Sequence, residues 1–379
     1  MKHYHYLFVA GFLLFSCSET KQGDLPVIPV DIVNNTVSEL LLSEITESIT
    51  AIELELTDES VIDPGNILRI ICSDDLVFIA QITNILVFNR NGSFVRSIGS
   101  QGQGPGEYNM IWNMTIDETN KRLFVNARSK IICYDWQGKV LMESEINGVQ
   151  QIRDINYFNN ELLAICYSND KEAKKVFAQV GVYRLNENLQ ITDSCTILKL
   201  DGYFGFSFGG YTNFIMISDS TVYLYYPFST ASVPPVPPER AHLKSVLRDT
   251  LYRFENNQLI PDLKLKFKDD GIDGEGNMFL VLLDVFRSSR YIFAGYGNYR
   301  ESRNDDNTFN YHNFYYDTET GKGYMGLGNR YTDDINQIKR VVIRPFQTNP
   351  DMFYYWYTHM NPNDLEEPNP TLYIGTLKK

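Results

Sequence analysis

Histidine is the side chain most used for proton transfer near neutral pH, and the chain holds five: His3, His5, His242, His312 and His359. The last three are far apart, so histidine-based catalysis has few options. Gly205-Phe206-Ser207-Phe208-Gly209 fits the G-x-S-x-G nucleophile elbow, which needs a strand-to-helix turn, an oxyanion hole and a later Asp and His. Here the serine sits among aromatics in a β-rich stretch, and the match reads as chance. In the run from Lys268 to Gly276, the carboxylates of Asp269, Asp273 and Glu275, beside Asp270, could converge on a calcium ion, which takes six or more oxygens. The spacing departs from an EF-hand loop, with Gly271 at its third position and Leu280 at its twelfth, and a solvated connecting loop is the better reading. No catalytic residue, cofactor site or metal site is therefore expected. Cys72, Cys133, Cys166 and Cys195 match no metal spacing. Four cysteines in an exported chain permit two disulfides, but free thiols acting as small core hydrophobes are the better reading.

Rings are the more abundant functional material. The 379 residues include 25 Tyr, 23 Phe and 3 Trp against ten Ala, a balance that favours strands over helices. Most of these rings suit packing between sheets. Tyr203, Phe204, Phe206, Phe208 and Tyr211 fall in a loop-like segment and are the preferred candidates for contacting a sugar or peptide. With 34 basic and 47 acidic residues the net charge is −13, and no basic block offsets it, so nucleic acid is excluded as a partner.

These residues are positioned by an internal repeat. Shifted by 46 residues, 67–98 aligns over 113–144 without a gap: Leu68 over Met114, Ile70 over Ile116, Phe78 over Phe124, Ile85 over Ile131, Phe88 over Tyr134, Gly92 over Gly138 and Val95 over Leu141. Each copy reads as four short strands whose last turn is Asn-Gly or Gln-Gly, a hairpin signal. A four-stranded unit with a period in the forties is a propeller blade. Weaker copies follow at 181–191, 250–260, 311–325 and 351–360. Unit starts near 67, 113, 150, 211, 278 and 335 predict an all-β, six-bladed β-propeller with four-stranded antiparallel blades. The excess length falls in loops at 169–175, 232–240 and 300–310. Segments 50–57 and 371–377 are expected to complete the last blade, one from each end of the chain, closing the ring. Residues 37–49 carry helix-like spacing. If the first strand of each blade lines the channel, Arg69, Arg153 and Arg340 point inward, giving a positive channel in an acidic shell.

The N-terminus is a targeting signal. A polar start is followed by an apolar run from Tyr6 to Phe15, too short to span a bilayer. Leu14-Phe15-Ser16-Cys17 resembles a bacterial lipobox, which implies cleavage before Cys17 and a lipid on its thiol. The expected organisation is 1–16 lipoprotein signal peptide, 17–35 tether and 36–379 propeller. The mature chain then has 363 residues and a formal charge of −14.

Residues 87–108, VFNRNGSFVRSIGSQGQGPGEY, resemble the bacterial six-bladed propeller lipoproteins related to NHL-repeat and TolB-like proteins. In that family an aromatic, a turn glycine, Arg-x-Ile-Gly and then Gly-x-Gly-Pro-Gly-Glu-aromatic end a blade. Here these are Phe88, Gly92, Arg96–Gly99, Gly102, Gly104, Pro105, Gly106, Glu107 and Tyr108. Segments 248–267 and 369–377 are similar to the family as well. The resemblance implies a propeller anchored in a Gram-negative cell envelope, at the outer membrane, and supplies no substrate. The expected function is non-catalytic binding of a ligand or a protein, glycan or peptide partner. A hydrolase or lyase acting on a glycan or peptide in the central channel is the alternative.

Overall fold

A computed structural model describes residues 25–128, 130–172, 175–201, 215–218, 221–226, 249–268, 280–298, 310–326, 330–360 and 367–379. The signal segment, Cys17, the 203–211 aromatics with Gly205–Gly209, His242, and Asp269, Asp270, Asp273 and Glu275 lie outside them. Their strands form a β-propeller of seven sheets. In chain order, sheet I is built from 67–72, 76–81, 85–89 and 94–97; sheet II from 113–117, 122–126, 130–135 and 140–145; sheet III from 151–158, 161–172, 175–185 and 191–201. Sheet IV holds 215–218, 221–224, 250–255 and 258–267; sheet V holds 280–287, 291–298, 310–317 and 322–326. Sheet VI contains 331–333 and 338–341, and sheet VII contains 344–345, 352–357 and 371–377.

The sequence pattern follows each strand's distance from the axis. Val77–Gln81 and Ile85–Phe88 are buried on both faces, because sheet I is sandwiched between neighbours. The rim strand Val140–Glu145 has water on one side and alternates instead. Rings fill the gaps between sheets: Phe78 of sheet I meets Trp136 of sheet II edge-on, with centroids 5.1 Å apart. The Gly-Pro-Gly connector between these sheets is a structural clasp. Gly106, at φ +71°, donates its N–H to Glu143 at 2.8 Å, and its carbonyl accepts from the Tyr134 hydroxyl at 2.7 Å. Tyr108 donates to the Ile98 carbonyl at 2.9 Å.

Seven blades replace the expected six. Units near 67, 113, 150, 211 and 278 correspond to sheets I to V, but 331–377 makes two sheets where one unit was expected. The cause is local. The Asp333 carboxylate accepts from the backbone of Ile335 at 3.0 Å and Asn336 at 2.9 Å, and Gln337 and Arg340 take φ of 60° and 65°. This short hairpin folds on itself as sheet VI and is too brief to show a repeat. Nor is every blade a four-stranded antiparallel unit: sheets IV and V have five strands and sheet VI has three.

The difference comes from the N-terminal segment, which crosses four sheets in succession. Val27–Val30 pairs parallel with 264–267, Thr36–Val37 with 325–326, and Leu40–Leu41 with 331–332. Thr46–Glu53 then pairs antiparallel with Thr371–Leu377, with Ile52 opposite Leu372, so residues from both ends of the chain share sheet VII. The first of these strands lies inside 17–35, read from sequence as tether. Within 37–49 only Leu42–Ile45 is helical, because the flanking residues pair with sheet edges. Val30, Leu40, Leu42 and Ile45 are fully buried, which fixes this strap to the body. Cys72, Cys133, Cys166 and Cys195 are free, so neither disulfide forms, and burial pushes the Cys72 and Cys133 thiols up to about 11.

Candidate functional site

The innermost strands of sheets I, III and V share an irregularity. Pairing skips one residue between Ile67 and Arg69, between Ile152 and Asp154, and between Leu282 and Asp284. Such a bulge lets two consecutive residues oppose one and re-aims the next side chain. The sequences are Ile-Leu-Arg-Ile, Ile-Arg-Asp-Ile and Leu-Leu-Asp-Val, each bulge placing a charge just after it.

Two of these charges meet. Arg69 Nη2 lies 3.1 Å from Asp154 Oδ1, and both side chains are buried. Arg69 Nη1 also donates to Gln347 Oε1 at 2.7 Å and to the Met114 carbonyl at 3.3 Å. Asp154 further accepts from Asn113 Nδ2 at 2.8 Å and from the backbone N–H groups of Ile155 at 2.9 Å and Ile215 at 3.0 Å. Gln347, from sheet VII, reaches sheet IV: its Nε2 donates to the Ile215 carbonyl at 3.0 Å, and its carbonyl accepts from the Ile217 N–H at 2.6 Å. Sheets I, II, III, IV and VII are thus tied by one polar knot. The cavity beside it, lined by Arg69, Thr115, Gln347 and Tyr354, measures about 20 Å³, the space of a single water. That cavity is too small for a glycan or peptide.

Outside the knot, rings and guanidinium groups gather at one end of the inner strands. Trp112 precedes the inner strand of sheet II, Arg153 lies near the start of that of sheet III, and Tyr226 follows the second strand of sheet IV. Inner and second strands are antiparallel, so the three positions share an end. Arg153 lies over the Trp112 ring at 5.6 Å, and the Trp112 indole N–H has no acceptor among the described residues. Burial lowers the Arg153 pKa against the opposing influence of Tyr226 and Tyr167, and burial pushes Tyr226 up to about 12. A second pair stands in sheet VII, where Arg344 lies 4.1 Å over the Trp356 ring. Arg344 also faces Asp284 electrostatically. Asp284 reaches water yet is walled by protein, so desolvation raises its pKa while the Gly295 N–H, at 2.7 Å, and Arg344 act against the rise. Guanidinium groups over indoles, beside tyrosines, form contacts of about 0.5–2 kcal/mol and suit recognition more than bond breaking.

The structure places Arg69 on an inner strand but cancels its charge with Asp154, so this pair adds no net positive charge there. Arg153 stands at the mouth, and Arg340 is exposed on the hairpin of sheet VI, its carbonyl accepting from Arg330. His359 Nε2 is 2.8 Å from the Tyr373 hydroxyl, and His312 stacks on Tyr296 at 5.0 Å. Among the described residues no three His, Cys, Asp or Glu side chains gather as a metal site. Asp154, Asp284, Arg344 and Gln347 escaped the sequence reading. The charge two residues after an aliphatic residue in the inner strands of sheets I, III and V was the available signal; strict alternation hides it, because each bulge reverses the face.

The architecture defines a β-propeller with a buried polar knot among its inner strands. Residues 25–373 match the family described as a domain of unknown function, DUF4934, and the chain belongs to it. It is similar in fold to a Bacteroides fragilis protein described as a candidate exported protein, at 18% identity and a TM-score of 0.61, covering 93% of this chain and 100% of that one. A Bacteroides caccae protein of unknown function aligns at 9% identity and a TM-score of 0.40, over 79% of this chain and 90% of that one. The Neurospora crassa Pan2 WD40 domain aligns at 12% identity and a TM-score of 0.43, over 83% and 76%. No curated protein matches the chain.

Proposed function

We propose that this chain is an exported, lipid-anchored propeller of the cell envelope that binds a protein or peptide partner at the mouth formed by Trp112, Arg153, Tyr226, Arg344 and Trp356, without turning it over. The observation that carries the reading is the contrast along the axis. The inner strands are tied by the Arg69–Asp154–Gln347 knot, while two arginine–tryptophan pairs stand outside it at the strand ends. Export is supported by the apolar run at Tyr6–Phe15 and by the description of the Bacteroides fragilis protein of similar fold. The anchor is supported by Leu14-Phe15-Ser16-Cys17, and kinship with NHL-type propeller lipoproteins by the Gly-x-Gly-Pro-Gly-Glu-Tyr stretch.

Affinity capture from envelope extracts tests the mouth, with the wild-type chain compared to Trp112→Ala and Arg344→Ala variants. A partner retained by the wild type and lost by both variants supports the site; equal capture by all three removes it. Labelling with a radioactive fatty acid tests the anchor, because a Cys17→Ser variant that stays labelled contradicts it.

A further inference from the structure

A second recess lies far from the mouth, where the strap crosses the rim of sheet V. It is a cleft of about 450 Å³ lined on one side by Pro29, Asp31, Asn34 and Asn35, and on the other by Tyr316, Lys322 and Tyr324. Pockets that hold small ligands begin near 300 Å³. Its walls come from residues nearly three hundred positions apart, joined where Thr36 and Val37 pair with Met325 and Gly326. Gly323 permits this closeness: a Cβ there would stand 2.6 Å from the Phe314 ring and 3.5 Å from the Asn35 side chain.

The chemistry of the lining selects a ligand class. Asn34 Nδ2 is committed to Asp31 at 2.7 Å, and Asn35 Oδ1 accepts from the Asp31 N–H at 2.9 Å. Asn34 Oδ1, Asn35 Nδ2, the hydroxyls of Tyr316 and Tyr324, and the Lys322 ammonium take part in no hydrogen bond among the described residues. The cleft therefore offers donors and acceptors together. Asp31 is answered by Lys268 at 3.2 Å, which leaves Lys322 as the one ammonium of the lining. A single carboxylate, already paired, is too few for a divalent cation, and one ammonium with no guanidinium beside it is a thin site for a phosphate or polyanion. Half-buried tyrosine rings with mixed, uncommitted donors and acceptors match a ligand that is apolar on its ring faces and hydroxylated at its edge.

We infer that this cleft binds a neutral carbohydrate, a mono- or disaccharide unit of an uncharged glycan. The site is independent of the mouth. It is tested by isothermal titration of the full mature chain with maltose, cellobiose, mannobiose and galactobiose, with a glucuronate-containing disaccharide as the charged control. At least one neutral sugar binds, Tyr316→Ala weakens it by about tenfold or more, equivalent to about 1.4 kcal/mol, and the charged control binds less well. Lys322→Ala, an exposed change that leaves the strap in place, weakens the same sugar by a smaller factor, while Trp112→Ala leaves it unaltered. Failure of every neutral sugar to bind the wild type overturns the inference. So does binding that Tyr316→Ala and Lys322→Ala both leave unchanged, or preference for the charged sugar. Loss on Trp112→Ala instead assigns the sugar to the mouth and also overturns it.

Discussion

Sheets I and II and sheets IV to VII are built from similar strands by different means. Each of the first two is a run of consecutive hairpins in which every strand pairs with a neighbour in sequence. Each of the last four takes an edge strand from 27–53, up to about 330 residues away in the chain. One region is stabilised by contacts that form early and locally; the other depends on loop closure over most of the chain, which is entropically dearer and slower. The strap makes four sheets interdependent, whereas sheets I and II stand on their own hairpins and a clasp.

The largest expected effect tests that interdependence. Leu42 is fully buried under the strap, and Leu42→Asp places a carboxylate there with no partner. A loss of about 5 kcal/mol is expected, near the top of the range for single substitutions. Native-state hydrogen exchange should show protection falling in 258–267, 322–326 and 371–377 while 67–97 keeps its own. Uniform loss across all sheets would show that the two regions do not differ in this way.

The axis knot is the link between the regions. Arg69→Ala leaves Asp154 buried without its countercharge and should cost about 3–5 kcal/mol, measured by denaturant unfolding. Simultaneous replacement by Arg69→Met and Asp154→Leu should recover part of that loss, since an apolar pair removes the stranded charge. A double variant as unstable as Arg69→Ala would place the damage elsewhere.

The turn glycines of the repeat separate local from borrowed structure at a finer scale. Gly92 and Gly138 both sit at φ +91°, so alanine at either meets the left-handed penalty of roughly 1–2 kcal/mol. Only at Gly92 would a Cβ meet the strap, 1.8 Å from the Glu53 carbonyl oxygen; at Gly138 the nearest atom is 3.9 Å away. Gly92→Ala should therefore cost about 1–3 kcal/mol more than Gly138→Ala, read from paired thermal melts. Equal costs would mean that the strap yields freely there.

The smallest effect concerns acid stability. In sheet V, Arg290 grips Asp317 through two bonds of 3.0 and 2.8 Å and holds its carboxyl below the usual aspartate range. A folded pKa below the unfolded one gives stability that is fully present above the ordinary value of about 3.9 and is lost as pH falls through the lowered one. Asp317→Asn should flatten the melting temperature against pH on the acid side, with little change in slope above about pH 5. In sheet II another turn aspartate, Asp117 at the end of the first strand, takes its arginine, Arg122, from only five residues away, at 2.7 Å. Asp117→Asn should produce a similar flattening, and its absence at either site would break the parallel.

The legible parts of the fold share a cause. The 46-residue repeat, Gly92 over Gly138 and the Gly-Pro-Gly connector report backbone geometry fixed within a few residues, and the structure carries all three. The sixth unit was miscounted because sheet VI is short and takes its third strand from Leu40–Leu41, a partner that periodicity cannot display. At the site, Arg69 was visible as an inner-strand charge, but its partner Asp154 was hidden behind Arg153. Alternation picks the wrong member of that pair once a bulge reverses the face. Gln347 carried no signal at all, because its role exists only where sheets I, III, IV and VII converge.

By itself the sequence determined an all-β chain of repeated hairpins, since strand propensity, turn chemistry and hydrophobic patterning act over a handful of residues. Tertiary structure decided the number of blades, the path of the strap, the pairing of Arg69 with Asp154 and the cleft between Asn35 and Tyr316. Each of these depends on groups distant in the chain meeting at one point. Such meetings are set by how whole sheets pack around an axis, a collective property that no local stretch of sequence contains.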